Sequence, residues 1–213
     1  GVTNFDTARL SEIVASGVPV ATNQLQYSGL DHRPEHGLAE LCAAHGIRLL
    51  CYGTLAGGFI AERWLGAPEP QPPFANRSLV KYRLIIDDFG GWSRFQALLS
   101  ALDGIARRQR VSLASVAIRY VLDKPGVAVA IVGARDAAHL ADLGQSVILD
   151  EDDRGAIARV VSQAPGPRGD CYDLERIADG PHSLIMWKNQ NTGGAPADGC
   201  YVDAPPAAGR ESR

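Results

Sequence analysis

The residues best suited to chemistry lie in the segment 49–58, where an apolar stretch typical of a strand runs directly into a loop of small residues. Gly53, Gly57 and Gly58 would let main-chain amides approach a ligand closely. Tyr52 stands at the predicted carboxyl end of the strand, which is where α/β folds place their chemistry. We interpret the loop as a cofactor loop. An ordinary strand followed by a flexible turn is the alternative, because small-residue loops are common.

The composition is that of a soluble globular protein. The 213 residues are 46% hydrophobic and 21% charged, which is enough for a sizeable core and favours one main domain. The formal net charge of -3 shows no basic excess, so neither nucleic acid nor an anionic membrane is expected as a partner. No apolar run approaches the roughly 18 residues of a membrane helix, so we expect a soluble, cytoplasmic protein. The four cysteines lack zinc-site spacing, and Cys42 and Cys51 fall in apolar segments, so we expect buried thiols and no metal.

Hydrophobic patterning predicts strands that alternate with helices. The predicted strands cover residues 1–4, 18–26, 47–52 and 127–132. Helices are predicted over 6–16, 34–44, 112–123 and 136–143, and two more follow caps at Ser93 and Asp150. A long connection over 57–91, rich in proline and aromatic residues, is a candidate lid or substrate-side loop, with a plain surface excursion as the alternative. Past Pro165 the shift to Gly, Pro, Asn and Asp predicts an irregular tail.

This alternation argues for a parallel sheet with right-handed crossovers, as in a (β/α) barrel. A closed barrel has eight strands, whereas the pattern supplies three full strands and the stub of a fourth. The chain also starts at Gly1 without an initiator methionine. We therefore expect an α/β chain entered part way through: an incomplete half-barrel of the (β/α)8 TIM-barrel type, followed by the irregular tail.

Four motifs follow one another at the ends of the predicted strands: Gly1-Val-Thr-Asn-Phe5, Asn23-Gln24, Tyr52-Gly-Thr-Leu-Ala-Gly-Gly58 and Ile131-Val-Gly-Ala-Arg135. In type and order they resemble the second half of an aldo-keto reductase barrel, over residues 1–164. The resemblance implies that the stub ends barrel strand 5 and that strands 6, 7 and 8 follow. Residues 1–164 would then be the C-terminal part of an NADP-dependent oxidoreductase domain, and 165–213 its tail.

Reactions of this family reduce an aldehyde or ketone to an alcohol by hydride transfer from a nicotinamide. The resemblance therefore implies a small carbonyl or alcohol substrate and the cofactor NADP, with NAD as the alternative. Leu143 stands where an amide residue is common in the family, so the choice between the two cofactors stays open. The sequence specifies neither the substrate nor the oligomeric state.

The resemblance also assigns roles to residues at the strand ends. Thr3, Asn4 and Gln24 would hydrogen-bond the carboxamide of the nicotinamide, for which a hydroxyl and two side-chain amides are suitable. Tyr52 would stack on the face of the nicotinamide ring. The alternatives are that Asn4 only caps or turns the chain, that Gln24 satisfies groups inside the sheet, and that Tyr52 is a core aromatic.

The same resemblance places the rest of the cofactor along two loops. The pyrophosphate would lie along the main chain of Gly53, Thr54, Leu55 and Gly57, where small or absent side chains permit close approach. The adenosine end would meet Gly133, Ala134, Arg135, His139 and Asp142. A solvated surface charge at Arg135 and an exposed helix histidine at His139 are the alternatives. Segments 170–176 and 181–182, with Trp187, are expected to fold over the cofactor or substrate opening.

The family's acid catalyst, a tyrosine tuned by a lysine, an aspartate and a histidine, belongs to earlier strands and has no counterpart in this sequence. Tyr27, Tyr82 and Tyr120 have no lysine at a spacing that would place it beside the phenol, and a phenol of pKa near 10 is a poor acid at neutral pH. We therefore assign no catalytic residue. Two further hypotheses stay open: a non-catalytic truncated half-barrel that binds a nucleotide or a partner, and a different (β/α) enzyme that binds phosphate at its loop ends.

Overall fold

The predicted site is built on a parallel sheet. The computed structural model describes residues 1–134, 140, 143 and 145–186. Within these residues the sheet has four strands: β1 (Val2–Thr3), β2 (Thr22–Gln26), β3 (Arg48–Tyr52) and β4 (Val127–Ile131). They lie side by side in chain order and every neighbouring pair is parallel. The carboxyl ends of all four strands therefore lie at the same edge of the sheet.

The register brings the strand-end motifs level with one another. Thr3 pairs with Gln24, and Tyr52 lies opposite Gln26 on one side and Ile131 on the other. The amide of Asn4 extends the first ladder with a hydrogen bond of 2.8 Å to the carbonyl of Gln24. The predicted strand positions are thus confirmed, although the predicted strand over 18–26 begins only at residue 22.

Six longer helices accompany the strands in the described part of the chain: α1 (Thr7–Ala15), α2 (Leu38–Ala44), α3 (Arg77–Phe89), α4 (Trp92–Gln109), α5 (Leu113–Leu122) and α6 (Glu151–Val161). The predicted caps at Asp6, Ser112 and Asp150 are confirmed, because each side chain accepts a hydrogen bond from an amide of its helix. Ser93 is not a cap, since α4 already begins at Trp92. The predicted helix over 34–44 is split into a 3-10 turn (Arg33–Glu35) and α2.

Helix α3 is the main departure from the sequence prediction, which treated 57–91 as one irregular connection. The side chain of Asn76 caps the helix by accepting a hydrogen bond of 3.0 Å from the amide of Leu79. The buried face consists of Leu79, Val80, Tyr82, Ile85, Ile86 and Phe89. These apolar residues recur at helical spacing, but the proline-rich stretch before them obscured the pattern.

Residues 165–186 carry two short helices, α7 (Asp173–Arg176) and α8 (Pro181–Leu184), where the sequence analysis expected irregular chain. Glu175 is buried in an ion pair with Arg33, and the ring of His182 lies 2.8 Å from a carboxylate oxygen of Asp88. Composition gave no sign of this packing, because it depends on polar partners far away in the sequence. The predicted helix over 136–143 falls largely outside the described residues, as does Trp187.

The core lies between the sheet and the helices that cover it. Leu25, Leu49 and Cys51 point to this side of the sheet and are fully buried, as are Phe95 and Leu98 of α4. Burial of each such side chain stabilises the fold by roughly 1.5–3 kcal/mol. Cys42 is buried as well, so both thiols that were expected to be buried are so. None of the helices in the described residues has the length and hydropathy to span a membrane.

Candidate cofactor-binding site

Tyr52 and Asn4 form the centre of the polar group at the strand ends. The phenol of Tyr52 donates a hydrogen bond of 2.7 Å to Oδ1 of Asn4. Burial raises the pKa of Tyr52, so the phenol stays neutral and serves as a ring and a donor. Because Oδ1 is occupied, Asn4 presents its Nδ2 donors, which have no acceptor within the described residues. Asn4 is half-buried, so its Nδ2 donors are open to solvent or to a ligand.

Thr3 and Gln24 lie beside this pair. Successive side chains of a strand point to opposite faces, and residues paired in register share a face. Thr3 and Gln24 are paired, and Gln26 is paired with Tyr52, so all four side chains lie on the face opposite the buried core. Thr3 is exposed, whereas Gln24 and Tyr52 are half-buried. The structure thus brings together Thr3, Asn4, Gln24 and Tyr52, as the sequence analysis predicted.

The loop after β3 turns sharply and packs against α3. Gly53 has φ 75° and Gly57 has φ 62°, values that favour glycine. A Cβ on Gly57 would lie 2.6 Å from Cδ2 of Tyr82, and one on Gly53 would lie 3.1 Å from Cε1 of the same ring. The space left by the missing side chains is therefore filled by Tyr82 of α3. Sequence analysis had assigned that space to the approach of a cofactor, so the need for glycine here has a packing cause as well.

A cavity of about 770 Å³ joins this loop to the end of β4. Its volume falls within the range of small-molecule sites. Six of the predicted site residues line it: Gly53, Thr54, Leu55, Gly57, Gly133 and Ala134. The amino ends of α3 and α5 also border it, through Asn76 and Ser112. A helix amino end carries a partial positive charge that favours an anion. At α5 the carboxylate of Glu62 already accepts a hydrogen bond from the amide of Leu113, whereas the amino end of α3 is capped by the neutral side chain of Asn76.

Two residues that line this cavity, Thr54 and Asn76, carry a buried side-chain atom that has no hydrogen-bond partner in the described chain. Thr54 is 1% exposed, and its Oγ1 makes no hydrogen bond there. Nδ2 of Asn76 is likewise buried without an acceptor. The main-chain amides of Gly53, Thr54 and Leu55 find no acceptor in the described chain, whereas those of Ala56 and Gly58 close 3-10 turns. Because buried polar groups are normally paired, this set of donors suits a ligand rich in acceptor oxygens.

A buried charge cluster, which the sequence analysis missed, lies under the Tyr52 end of the site. Arg33 is 1% exposed and bridges Asp31, at 2.7 Å, and Glu175, at 3.0 Å. Nζ of Lys81 lies 5.0 Å from the ring centre of Tyr52. Burial lowers the pKa of Lys81, although the carboxylates of the cluster act in the opposite direction. The sequence signal was weak, since these four residues come from three distant segments.

The other tyrosines are not suited to acid catalysis, but the reason differs from the one expected. Lysines do lie beside two of the phenol rings: Nζ of Lys81 is 5.5 Å from the ring centre of Tyr82, and Nζ of Lys124 is 4.7 Å from that of Tyr120. The expectation of no neighbouring lysine was therefore wrong for both. Burial nevertheless raises the pKa of both phenols, and that of Tyr27. A raised pKa makes proton donation at neutral pH less favourable.

The adenosine end of the predicted site is only partly described. Gly133 and Ala134 line the cavity, and so does Leu143. Arg135, His139 and Asp142 lie outside the described residues. Their proposed contacts with adenosine therefore stay predictions.

Comparison with known proteins agrees with the fold. A sequence model of the Aldo/keto reductase family matches residues 1–161. The chain therefore belongs to the aldo/keto reductase family, which confirms the resemblance seen in the sequence.

Two relatives show how far the likeness extends. Flagellar radial spoke protein 5 of Chlamydomonas reinhardtii is 34% identical over 126 residues, which are 58% of this chain and 24% of that protein. An aldo-keto reductase of Babesia bovis is 28% identical over 119 residues, which are 54% of this chain and 41% of that protein. The chain thus spans less than half the length of these curated relatives.

Solved structures show the fold. The glycerol dehydrogenase of Gluconobacter oxydans superposes with a TM-score of 0.62 at 21% identity, over 79% of this chain and 50% of that chain. An aldo/keto reductase of Klebsiella pneumoniae, solved with NADP and acetate, gives a TM-score of 0.53 at 22% identity, over 80% of this chain and 49% of that chain. The chain thus has the fold of part of an aldo-keto reductase TIM barrel, and the predicted fold class is confirmed.

Proposed function

We propose that this chain forms the cofactor-binding part of an NADP-dependent oxidoreductase of aldo-keto reductase type, with NAD as the alternative cofactor. The reaction proposed for the whole protein is reduction of an aldehyde or ketone to an alcohol. The observation that carries the proposal is the group of unpartnered donors around Thr54, in a cavity at the carboxyl edge of a parallel sheet. Ligands of such folds bind at this edge.

The residues present fit the chemistry of a nicotinamide dinucleotide. A pyrophosphate offers acceptor oxygens and negative charge, which match the hydroxyl of Thr54, Nδ2 of Asn76 and the amides of the loop. Glu62 and Arg63 also line the cavity, and the carboxylate of Glu62 accepts a hydrogen bond of 2.8 Å from the amide of Leu113. At the other end, the amide of Asn4 and the ring of Tyr52 suit a planar carboxamide-bearing ring.

Each residue has a definite part in this proposal. Thr54 and the loop amides hold the pyrophosphate, while Thr3, Asn4 and Gln24 hold the carboxamide and fix which face of the ring is presented. Tyr52 supports the ring from one side. The bound cofactor supplies the hydride. We assign none of these residues to protonation of the carbonyl, because the buried phenols of this chain are poor acids.

A titration tests the proposal. Intrinsic tryptophan fluorescence of the purified chain would be followed against NADPH, NADH and ATP, with a thermal melt to verify folding. We expect saturable binding of NADPH or NADH in the micromolar range and much weaker binding of ATP, which lacks the nicotinamide. A cooperative melt without saturable binding of either dinucleotide, or equal binding of ATP, would remove the basis of the proposal.

A second candidate function is a nucleotide-binding or interaction module without catalysis. The observation that favours it is the 34% identity to a protein named for a flagellar radial spoke. The two functions differ in turnover: consumption of bound NADPH on addition of a panel of aldehydes and ketones supports the reductase. Tight NADPH binding without consumption supports the module.

A further inference from the structure

Arg176 of α7 reaches back across the chain to the start of the sheet. Its Nη2 donates a hydrogen bond of 2.5 Å to the carbonyl oxygen of Asn4. Its Nη1 lies 3.0 Å from Oδ2 of Asp6 and 3.2 Å from the carbonyl oxygen of Cys171. The guanidinium of Arg176 therefore contacts Asn4, Asp6 and Cys171, and the first two of these lie in the turn between β1 and α1.

Asn4 needs such support. Its φ of 58° lies in the left-handed region, which is unfavourable for residues other than glycine and least so for asparagine. The main chain on both sides of this angle is fixed: the amide donates to Gln24, at 2.8 Å, and the carbonyl accepts from Arg176. The side chain is fixed in turn by the phenol of Tyr52. Strain of this kind persists only where the surroundings over-determine it.

The segment that carries Arg176 is itself anchored. The neighbouring residue Glu175 is 6% exposed and forms the buried ion pair with Arg33. Asp170, six residues before Arg176, accepts a hydrogen bond of 2.7 Å at its Oδ2 from the amide of Thr7. Both anchors precede Arg176 and fix the main chain from which its side chain reaches Asn4.

We propose that Arg176 is a positioning residue for the nicotinamide site. By holding the carbonyl of Asn4 it keeps Asn4 in the left-handed conformation, and the phenol of Tyr52 then leaves Nδ2 of Asn4 directed to the carboxamide oxygen of the cofactor. On this proposal the segment 165–186 contributes to the cofactor site by supplying Arg176, which positions Asn4. The inference rests on the proposed function, since it presumes that a nicotinamide binds beside Asn4.

The test compares whole cofactors with fragments that lack the nicotinamide. Dissociation constants are measured by calorimetry for NADPH against 2′-phospho-ADP-ribose, and for NADH against ADP-ribose. The variants are Arg176→Ala and Arg176→Lys. Arg9→Ala is the matched control, because Arg9 shares the Asp6 partner but does not contact Asn4.

We expect Arg176→Ala to weaken binding of the dinucleotide on the order of tenfold, the equivalent of one lost charge-assisted hydrogen bond, and to leave the fragment unchanged. Arg9→Ala should change neither the dissociation constant of the dinucleotide nor that of the fragment. Equal weakening of dinucleotide and fragment would show that Arg176 supports only the fold, and unchanged dinucleotide binding would show that it supports neither; each result overturns the inference.

Two precautions allow the result to be interpreted if a variant does not fold or if the wild type does not bind. If Arg176→Ala does not melt cooperatively, Arg176→Lys is used for the test. Lysine lacks the planar fork by which Nη1 reaches Asp6 while Nη2 reaches Asn4, so this variant should still lower the dinucleotide-to-fragment preference. If the wild-type chain binds neither NADPH nor NADH, the proposed function fails and this inference with it. If the wild type binds and the Arg176 variants match it, the inference alone fails.

Discussion

Replacement of Thr54 by valine should change stability and ligand binding in opposite directions. Thr54 is 1% exposed and its Oγ1 has no hydrogen-bond partner within the described chain. A buried unsatisfied polar group costs about 1–3 kcal/mol. Valine has nearly the same shape without the hydroxyl, so Thr54→Val should raise the free energy of unfolding of the free protein by about 1 kcal/mol, the lower end of that range.

The Thr54→Val substitution should also weaken binding of the dinucleotide. A hydrogen bond to a charged oxygen contributes about 1.5–3 kcal/mol, so loss of the Thr54 hydroxyl should raise the dissociation constant of NADPH by roughly 10- to 150-fold. Urea unfolding of the free protein gives the stability, and isothermal calorimetry gives the affinity. Both measurements use the same preparation of each variant.

Thr7→Val is the matched control for this experiment. Oγ1 of Thr7 is also buried without a partner among the described residues, but Thr7 begins α1 and does not line the cavity. Its replacement should stabilise the protein and leave NADPH binding unchanged. The reasoning is refuted if Thr54→Val destabilises the free protein, or if it binds NADPH as tightly as the wild type does.

Two further predictions concern the buried groups of the fold. Arg33→Met should lower the free energy of unfolding by about 3–5 kcal/mol in urea denaturation, because Asp31 and Glu175 would both lose their buried counter-ion; a loss below about 1 kcal/mol would contradict the buried network. Burial raises the pKa of the Cys42 thiol to about 11 and that of the Cys51 thiol to about 12. At mildly alkaline pH both should therefore react with iodoacetamide at least about a hundredfold more slowly in the native protein than in denaturant, and equal rates in peptide mapping would show that the thiols are accessible.

The sequence was sufficient for the strand ends and insufficient for what packs around them. Asn4 and Tyr52 were assigned to one site through the resemblance of the strand-end motifs to an aldo-keto reductase barrel, and the structure joins the two side chains by a hydrogen bond. The loop at Gly53 was found from the residues themselves, since small residues after an apolar strand form a local signal. Local patterns of this kind need no knowledge of distant partners.

Long-range pairing explains the features that were missed. Arg33 and Glu175 are 142 positions apart, and the local sequence around either residue does not indicate that the two form an ion pair. The contact between Arg176 and Asn4 spans 172 positions in the same way. Helix α3 was missed for a different reason, because the prolines that precede Asn76 masked a helical pattern that is clear from Leu79 onward.

The most direct test of the account is a crystal structure of the protein grown with NADPH. The account predicts the nicotinamide ring against Tyr52, with its carboxamide within hydrogen-bond distance of Asn4, and the pyrophosphate within hydrogen-bond distance of Thr54 and the amides of the loop. A dinucleotide bound away from the carboxyl edge of the sheet would contradict it, as would a bound pyrophosphate that leaves the Thr54 hydroxyl without a partner.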